Sequence, residues 1–586
     1  MHQPLSTPHP SIYFNYKVYP AAPCPTADAI EPVLIVGAGP VGLTTALLLA
    51  KAGVRCVLLA SEQQVCAGSR AIAFTRRSLE ILQQTGAHQA FAQIGLPWGC
   101  GNSFYRGKQV FRMETPHHPH DRFAPLTNLQ QQFVEAALID EADKTALVEI
   151  RWGHKVVRVL RSGTEGPTED AFAALEIDTP QGPYVQRAHY VVACDGARSA
   201  LRSLLDLKLE GSSYEGRFVI ADIRIKLPLP TERLAFFDPV WNPSNTVLMH
   251  RQPLDMWRID YQLPPGESPE EALRPESLSA RINAQLAMIG HGDIPWEMDW
   301  SSVYSARALT LPNYRHGRIL FAGDAAHLLP IFGVRGANTG FQDAQNLAWK
   351  LALVVEGKAP LALLDSYSHE RVAAAREIVL EAGKSTRFMT PPSCGFRLLR
   401  DAVLSLSLTQ EFVRPLYHWR TARVHAYGDS PLNAAATDVA LDDNTAFGAT
   451  GLAVGEPMAN VVLGPDDFLM DHFPAGFLLL VVGRAPSNTL PAELEKTLTS
   501  FRASGHTLSV QHCHHADVVA RYAGPQGAGI YLFRPDQHVC ARWLTGVGDT
   551  RRNTHNEKDS ENDTGDEVRR LAAALESALN RAVGHF

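Results

Sequence analysis

Residues 32–60 read PVLIVGAGPVGLTTALLLAKAGVRCVLLA, and this stretch decides the fold. The apolar run VLIV has the length and composition of a strand buried on both faces. It ends in Gly37-Ala38-Gly39-Pro40-Val41-Gly42. The segment LTTALLLAKA then predicts a helix stopped by Gly53, and RCVLLA predicts a second strand. Strand, glycine turn, helix and strand is the order of a parallel βαβ dinucleotide unit. Gly37 permits the tight turn, Gly39 lets backbone N–H groups approach a pyrophosphate, and Gly42 lets the helix close on the strand. Pro40 lies inside the same turn, where the helix N-terminus adds partial positive charge for phosphates. An acid normally ends the second strand and holds the adenosine ribose. Here the strand ends at Ala60, followed by Ser61 and Glu62. Either Glu62 curls back into that role or another group holds the ribose.

Around this unit the chain is long. Its 586 residues exceed one core, so two to four domains are expected. Hydrophobic residues make up 45% and charged residues 20%, as in ordinary globular proteins. The net charge of -7 argues against a nucleic-acid partner, which needs a basic face. The apolar run GFLLLVVG, residues 476–483, is strand-sized, so no membrane partner is expected. The N-terminus shows no basic and then apolar signal pattern. The eight cysteines are scattered without a CxxC pair, which fits reduced thiols and a cytoplasmic location.

Composition and period suggest the organisation. Residues 1–30 are proline-rich and read as an extended arm. Residues 31–200 and 305–390 read as one split nucleotide-binding domain. Residues 201–304, with parts of 95–125, carry β-period segments such as RFVIADIRIKL, TVLMHRQ and MWRIDYQL, which predict an antiparallel sheet walling a pocket. Residues 133–150 and 395–425 look helical, and 391–445 read as a helical linker. Residues 446–586 form a third region of mixed α/β character, with a flexible loop expected over the polar run 549–567. HHPH (117–120) and QHCHHAD (511–517) contain metal-capable side chains. They cluster on short segments, whereas real ligands converge from several elements, so no metal is expected.

Two further motifs follow strand-like runs. ACDGARSALR (193–202) places Asp195-Gly196 after one. LFAGDAAH (320–327) ends another in Gly323-Asp324 and leads through Gly333 and Gly336 into a helix near Asn338. Asp324 can accept hydrogen bonds from a polyol, and the glycines leave room for a flat ring beside the backbone.

GxGxxG early, DG in the middle and GD late together resemble the FAD-dependent aromatic hydroxylases of the para-hydroxybenzoate hydroxylase type. SRAIAFTRRSLEIL (69–82), LQQQFVEAAL (129–138), WRIDYQL (257–263) and GRILFAGDAAH with FGVRGANTGFQDAQNLAWKLA (317–352) are similar to members acting on phenols and phenylpropionate-type acids. LFRPDQHVCARW (532–543) is similar to the thioredoxin-like domain that ends the phenol hydroxylase branch. The resemblance implies an α/β fold: a Rossmann-like FAD-binding domain, an antiparallel β-sheet substrate domain and a C-terminal thioredoxin-like domain, in a homodimer.

The resemblance also implies site roles. FAD would lie extended with its pyrophosphate on Gly37, Gly39 and Gly42. Arg70 and Gln131 would reach it from neighbouring elements. Asp195 would serve both FAD and the nicotinamide donor, and Gly323-Asp324 the ribityl or pyrophosphate part. Gly333, Gly336, Ala337 and Asn338 would lie beside the isoalloxazine. Family members often carry proline where Ile331 stands, which leaves the loop's contact with substrate open. The implied chemistry is NAD(P)H reduction of FAD, addition of O2, and hydroxyl transfer from a flavin C4a-hydroperoxide to a small, phenolic aromatic ring. A base near the phenol oxygen would help. His250, Arg251, Tyr261, Tyr304 and Arg307 are the candidates from the middle sheet. Other readings are an FAD-dependent dehydrogenase, oxidase or halogenase-like relative, and a regulatory protein with a vestigial site.

Overall fold

Val33, Leu34, Ile35 and Val36 are all buried because the strand Ile30–Val36 runs through the middle of a sheet with neighbours on both sides. The computed structural model describes residues 1–25, 29–163, 171–264, 266–330, 332–417, 424–434, 451–483, 489–523, 527–543 and 557–585. They fall into two compact units. The first comprises Met1–His117, Phe123–Gln345 and Val372–Arg423; the second comprises His118–Arg122, Asn346–Arg371 and Val424–Phe586.

In the first unit, the main sheet has the order Arg315–His316, Ile319–Phe321, Tyr184–Ala193, Ile30–Val36, Cys56–Ala60, Val148–Trp152. The four strands from Ile319–Phe321 to Cys56–Ala60 pair in parallel, as does Val148–Trp152. Helix Pro40–Lys51 joins the first two sequence strands and is buried along most of its length, which explains its nearly all-apolar composition. The helix expected over 133–150 is shorter. It spans Gln131–Ala142, and Val148–Trp152 is instead the edge strand beside Cys56–Ala60. The β-branched Val148 and Ile150 pair there with Cys56 and Leu58, so tertiary pairing outweighs the helical reading.

The second sheet of this unit runs His327–Leu328, Glu297–Thr310, Glu210–Arg224, Met256–Gln262, Thr246–Arg251, Arg233–Phe237, Cys100–Tyr105, Lys108–Glu114. Alternation sorts its two faces. Val219, Ala221, Val247, Met249, Trp257, Ile259 and Tyr261 pack with Leu278, Ile282 and Leu286 of helix Pro275–Met288. Phe218, Ala235, Phe237 and Leu248 form the opposite face and pack with Phe332. Residues 1–25 form no helix or strand. Their side chains and backbone fasten them: His9 N to Gln64, Tyr16 to Cys66 and Gly68, Ser11 to Asp299, with Tyr19 stacked 4.3 Å from Trp152.

The second unit holds a four-stranded sheet ordered Leu508–Cys513, Phe477–Gly483, Ala528–Phe533, Val539–Trp543. The first pair is parallel and the others antiparallel. Trp349 belongs to this core, edge-on to Phe477. The loop expected over 549–567 is corrected for its second half: helix Glu557–Ala582 includes 557–567, while 549–556 lie outside the described residues. Leu571, Leu575 and Leu579 recur at helical spacing and are buried, so packing of the following segment carries the helix back into the polar run. A fully buried charge network also sits here. Arg534 donates to Glu370 and Asp536, Lys350 to Glu370, and Asn346 to Glu370.

Candidate functional site

The carboxyl ends of three neighbouring parallel strands meet. Val36 lies opposite Ala193, and Ala193 opposite Phe321. The Gly37 turn, Asp195 and Gly323-Asp324 follow these residues directly, so the sheet brings the three motifs to one edge. That edge is where ligands bind in open α/β sheets.

The glycines there have different reasons. Gly37 has φ +112, and a Cβ on it would lie 2.3 Å from the Cys194 carbonyl oxygen. A Cβ on Gly42 would lie 2.0 Å from the Gly37 carbonyl oxygen, so only glycine lets the helix start close on the turn. A Cβ on Gly39 would meet nothing within 4 Å. Gly39 therefore borders open space at the N-terminus of helix Pro40–Lys51, which carries no side-chain cap and no acid in its first turn. An anion suits that end. Gly323, at φ +61, faces Val41 of the same helix.

Two carboxylates flank the cradle. Asp195 accepts from Leu201 N at 3.1 Å with one oxygen, while its buried Oδ1 takes no protein partner. Burial raises its pKa, against hydrogen bonds that lower it. Asp324 keeps solvent access although protein packs around its carboxyl. Burial raises its pKa, and His327, Arg70 and Arg202 pull it back. Arg202 joins the two motifs by donating to the Ala325 carbonyl at 3.0 Å and the Ala197 carbonyl at 2.7 Å. Asp343, absent from the expectations, fixes the turn: its Oδ2 accepts from Gly323 N at 3.0 Å and faces His327 Nε2 at 2.6 Å.

The loop after these residues is strained. Val334 has φ +60, an outlier for a β-branched residue, beside Gly333 at φ +92. Ile331 lies outside the described residues. Gly336 has open space at its Cβ position, and Ala337 is half-buried. Asn338 is saturated by protein. It accepts from Thr75 N and Ser78 Oγ, and donates to the Ala73 and Val334 carbonyls. Its side chain clips the loop to strand Ala73–Thr75 and helix Arg76–Gln83. Gln131 accepts from Ala71 N and donates to Glu135. Arg70 is exposed with φ +25, and its carbonyl accepts from Arg258, which is itself paired to Asp222. Glu62 is exposed, two residues beyond its strand.

The substrate candidates separate by strand parity. His250 and Tyr304 lie on the sheet face that carries Phe218, Phe332 and Trp98. His250 stacks on Trp98 at 6.4 Å, Tyr304 pairs across from Phe218, and its hydroxyl donates to the Leu329 carbonyl at 3.1 Å. Arg251 and Tyr261 lie on the other face: Arg251 donates to the Leu229 carbonyl, and the Arg281 guanidinium sits 5.4 Å over the Tyr261 ring. Period-2 alternation turns them away. Arg307 is exposed at the far end of its strand, opposite Ser213. On the face bearing His250, the sheet adds Arg233, Asp222, Arg258 and Asp260, with Gln252 just past the strand end, which residue type alone did not single out. Among the described residues no three His, Cys, Asp or Glu side chains gather as metal ligands, and no helix is long and apolar enough to cross a membrane.

Residues 31–382 match a family model described as an FAD binding domain. A 3-(3-hydroxy-phenyl)propionate/3-hydroxycinnamic acid hydroxylase of Mycolicibacterium smegmatis is 31% identical over 375 residues, covering 64% of this chain and 64% of the relative. One from Comamonas testosteroni is also 31% identical, over 64% of this chain and 61% of the relative. The chain thus spans less than two thirds of the length of these curated relatives. Among solved structures, the flavin-dependent monooxygenase PieE with FAD and substrate is similar at a TM-score of 0.75 and 20% identity, over 94% of this chain and 100% of that one. Aklavinone-11 hydroxylase with FAD and aklavinone is similar at 0.70 and 22%, over 95% and 100%. At these identities the two structures establish the fold alone.

Proposed function

The chain belongs to the FAD-binding-domain family, and from that premise we propose that it is an NAD(P)H-consuming monooxygenase that hydroxylates a small phenolic substrate with O2. One observation carries the reading: the three motifs meet at one sheet edge, and Phe332, which follows Gly323-Asp324 in the chain, packs on the antiparallel sheet face that carries Phe218 and Leu248. FAD fits the residues present, since the open backbone at Gly39, the uncapped helix end and the unpaired Asp195 oxygen are complementary to a pyrophosphate and hydroxyls. Bound there, FAD supplies electron transfer from the nicotinamide and activation of dioxygen.

This chain's residues do the rest. Gly37, Gly39, Pro40 and Gly42 seat the phosphates. Gly323 and Asp324 hold the ribityl side, and Gly333, Gly336 and Ala337 pass close to the ring. Asn338 positions that loop without touching the ligand. Arg70 and Gln131 border the cofactor; Glu62 or a neighbouring group takes the ribose. The sheet face orients the substrate and excludes water. The names of the relatives make 3-(3-hydroxyphenyl)propionate the first substrate to try. The thioredoxin-like reading of residues 446–586 rests on the resemblance of LFRPDQHVCARW (532–543), and the absence of CxxC argues for a packing role. Homodimer formation and a cytoplasmic location belong to the same reading and rest on the family resemblance.

Substrate-stimulated NAD(P)H oxidation in air, giving a product one oxygen atom heavier, is the expected result. NAD(P)H oxidation with no oxygenated product across a panel of phenols and aromatic acids would refute the assignment in favour of dehydrogenase or oxidase chemistry. The site itself is tested by Asp324→Ala. One charge-assisted hydrogen bond is worth about 1.5–3 kcal/mol, so FAD affinity should fall roughly 10- to 100-fold. The apoprotein should not melt earlier. Folding raises the Asp324 pKa, so ionising this carboxyl costs stability as pH rises through its folded value, and alanine removes that cost. Full flavin occupancy after gel filtration would show that Asp324 does not hold the cofactor.

A further inference from the structure

We propose that Asp260 accepts the proton of the substrate's ring hydroxyl, with His250 and Gln252 beside it as partners for the ring's polar edge. The assignment rests on the hydroxylase reading above and adds the group that activates the substrate.

Asp260 and His250 sit on adjacent antiparallel strands with side chains on one face, and Gln252 lies just past the end of the His250 strand. His250 pairs with Arg258 and Arg233 across the sheet, while Asp260 pairs with Leu248 and Ile220, which puts Asp260 diagonal to His250. Gln252 follows two residues after His250, its backbone N bonded to the Met256 carbonyl at 2.7 Å. Asp260 and Gln252 are buried and His250 is half-buried, yet Asp260 Oδ1, His250 Nδ1 and Nε2, and Gln252 Oε1 and Nε2 take no protein hydrogen bond. Each such atom costs about 1–3 kcal/mol in a folded protein. A face built only for packing would carry apolar side chains there, as the opposite face does. Around these atoms stand flat groups: Trp98 stacks on His250, and Phe332 meets Phe218 edge-on at 5.3 Å. Polar atoms lacking protein partners, bordered by aromatic rings, are complementary to an aromatic ring with a hydroxyl.

The charges around Asp260 set its chemistry. Arg258 is on its own strand, Asp222 on Glu210–Arg224, His250 on Thr246–Arg251 and Arg233 on the strand beyond. Burial pushes the Asp260 carboxyl up to about 7, with Arg258 pulling down and Asp222 pushing up. Burial, Arg233 and Arg258 push His250 down to about 3, so it is neutral at working pH. A base with a pKa near the operating pH transfers protons efficiently. In the step itself the phenol O–H bond breaks, the proton bonds to an Asp260 carboxylate oxygen, and the electron pair stays on the phenolate oxygen. Nothing is oxidised or reduced. The phenolate makes its ring the stronger nucleophile.

The test uses the FAD-loaded full chain with 3-(3-hydroxyphenyl)propionate, ring-fluorinated phenols of lower pKa, and 3-phenylpropionate, which lacks the hydroxyl. Wild-type kcat/KM should fall below pH about 7. Asp260→Asn should keep its FAD and melting temperature, lose roughly 10²–10⁴-fold in turnover, and follow the phenol's own ionisation instead. The fluorinated phenols should recover much of the loss. Flavin absorbance titrations should show wild type preferring the hydroxylated acid to 3-phenylpropionate more strongly than the variant does. A variant with the wild-type pH limb and the wild-type preference overturns the role of Asp260 while leaving the hydroxylase reading intact. A wild-type enzyme that hydroxylates no phenol in the panel overturns both. Should Asp260→Asn fail to fold, Asp260→Glu decides: its pH limb must move, and an unmoved limb refutes the proposal.

Discussion

Gly42→Ala is expected to yield protein without flavin and with a strongly lowered melting temperature. The added methyl would sit 2.0 Å from the Gly37 carbonyl oxygen, inside any allowed contact, and 3.2 Å from Cys194 Cβ. The obstacle is backbone, which has no rotamer to give, so helix Pro40–Lys51 must lift from the turn. That helix is buried along its length, so a small lift disturbs many contacts and should cost at least about 3–5 kcal/mol. Gly39→Ala is the control. Its Cβ meets no protein atom, so folding should persist while FAD affinity falls. Circular dichroism melts and flavin content of the two variants separate a folding effect from a binding effect. Equal behaviour in both assays would contradict the different roles given to the two glycines.

The second large effect is expected at Arg534→Ala. Arg534, Glu370 and Asp536 are buried to within 2% exposure and bonded to one another. Burial alone would raise both carboxyls, but Arg534, with Lys350 at Glu370 and His538 at Asp536, outweighs it and holds them below the ordinary carboxylate range. Removing one partner of such a network typically costs about 3–5 kcal/mol, because the remaining charge is buried without compensation. The pH dependence should invert. In the wild type the two depressed carboxyls contribute stability that is present above their unfolded values, near 4, and lost as pH falls through the folded ones. In the variant, burial raises them, so stability should decline as pH rises from 5 to 8. Thermal melts across that range that parallel the wild type would refute this account.

The parts of the candidate site legible in the sequence are contiguous. The turn at 37–42, Asp195 after its strand and Gly323-Asp324 after another each declare themselves within ten residues, and parallel pairing then places them together. What was hidden depends on register. Arg251 and Tyr261 look as suitable as His250 in the linear sequence, but one residue of offset moves a side chain through the sheet. Asp260 becomes a neighbour of His250 only once Met256–Gln262 pairs with Thr246–Arg251. Asn338 stands in the first turn of helix Gly336–Val355, just after a glycine-rich turn where a ligand contact is the natural reading, yet its amide bonds Ala73, Thr75 and Ser78, more than 250 residues earlier, and nearby Val334. The helix at 557–567 was masked by its own charge, since the apolar stripe that anchors it begins only at Leu571.

The strand-end alignment has a consequence for how such a protein can diversify. The cradle is backbone and glycine, and at Gly37 and Gly42 the fold leaves no room for an added methyl. The antiparallel wall presents side chains such as Leu248 and Ile220, beside Asp260, on strands whose ladder is indifferent to them. Randomising that wall should redirect chemical selectivity while cofactor capture survives, which makes it the region to vary when engineering new specificities into this scaffold.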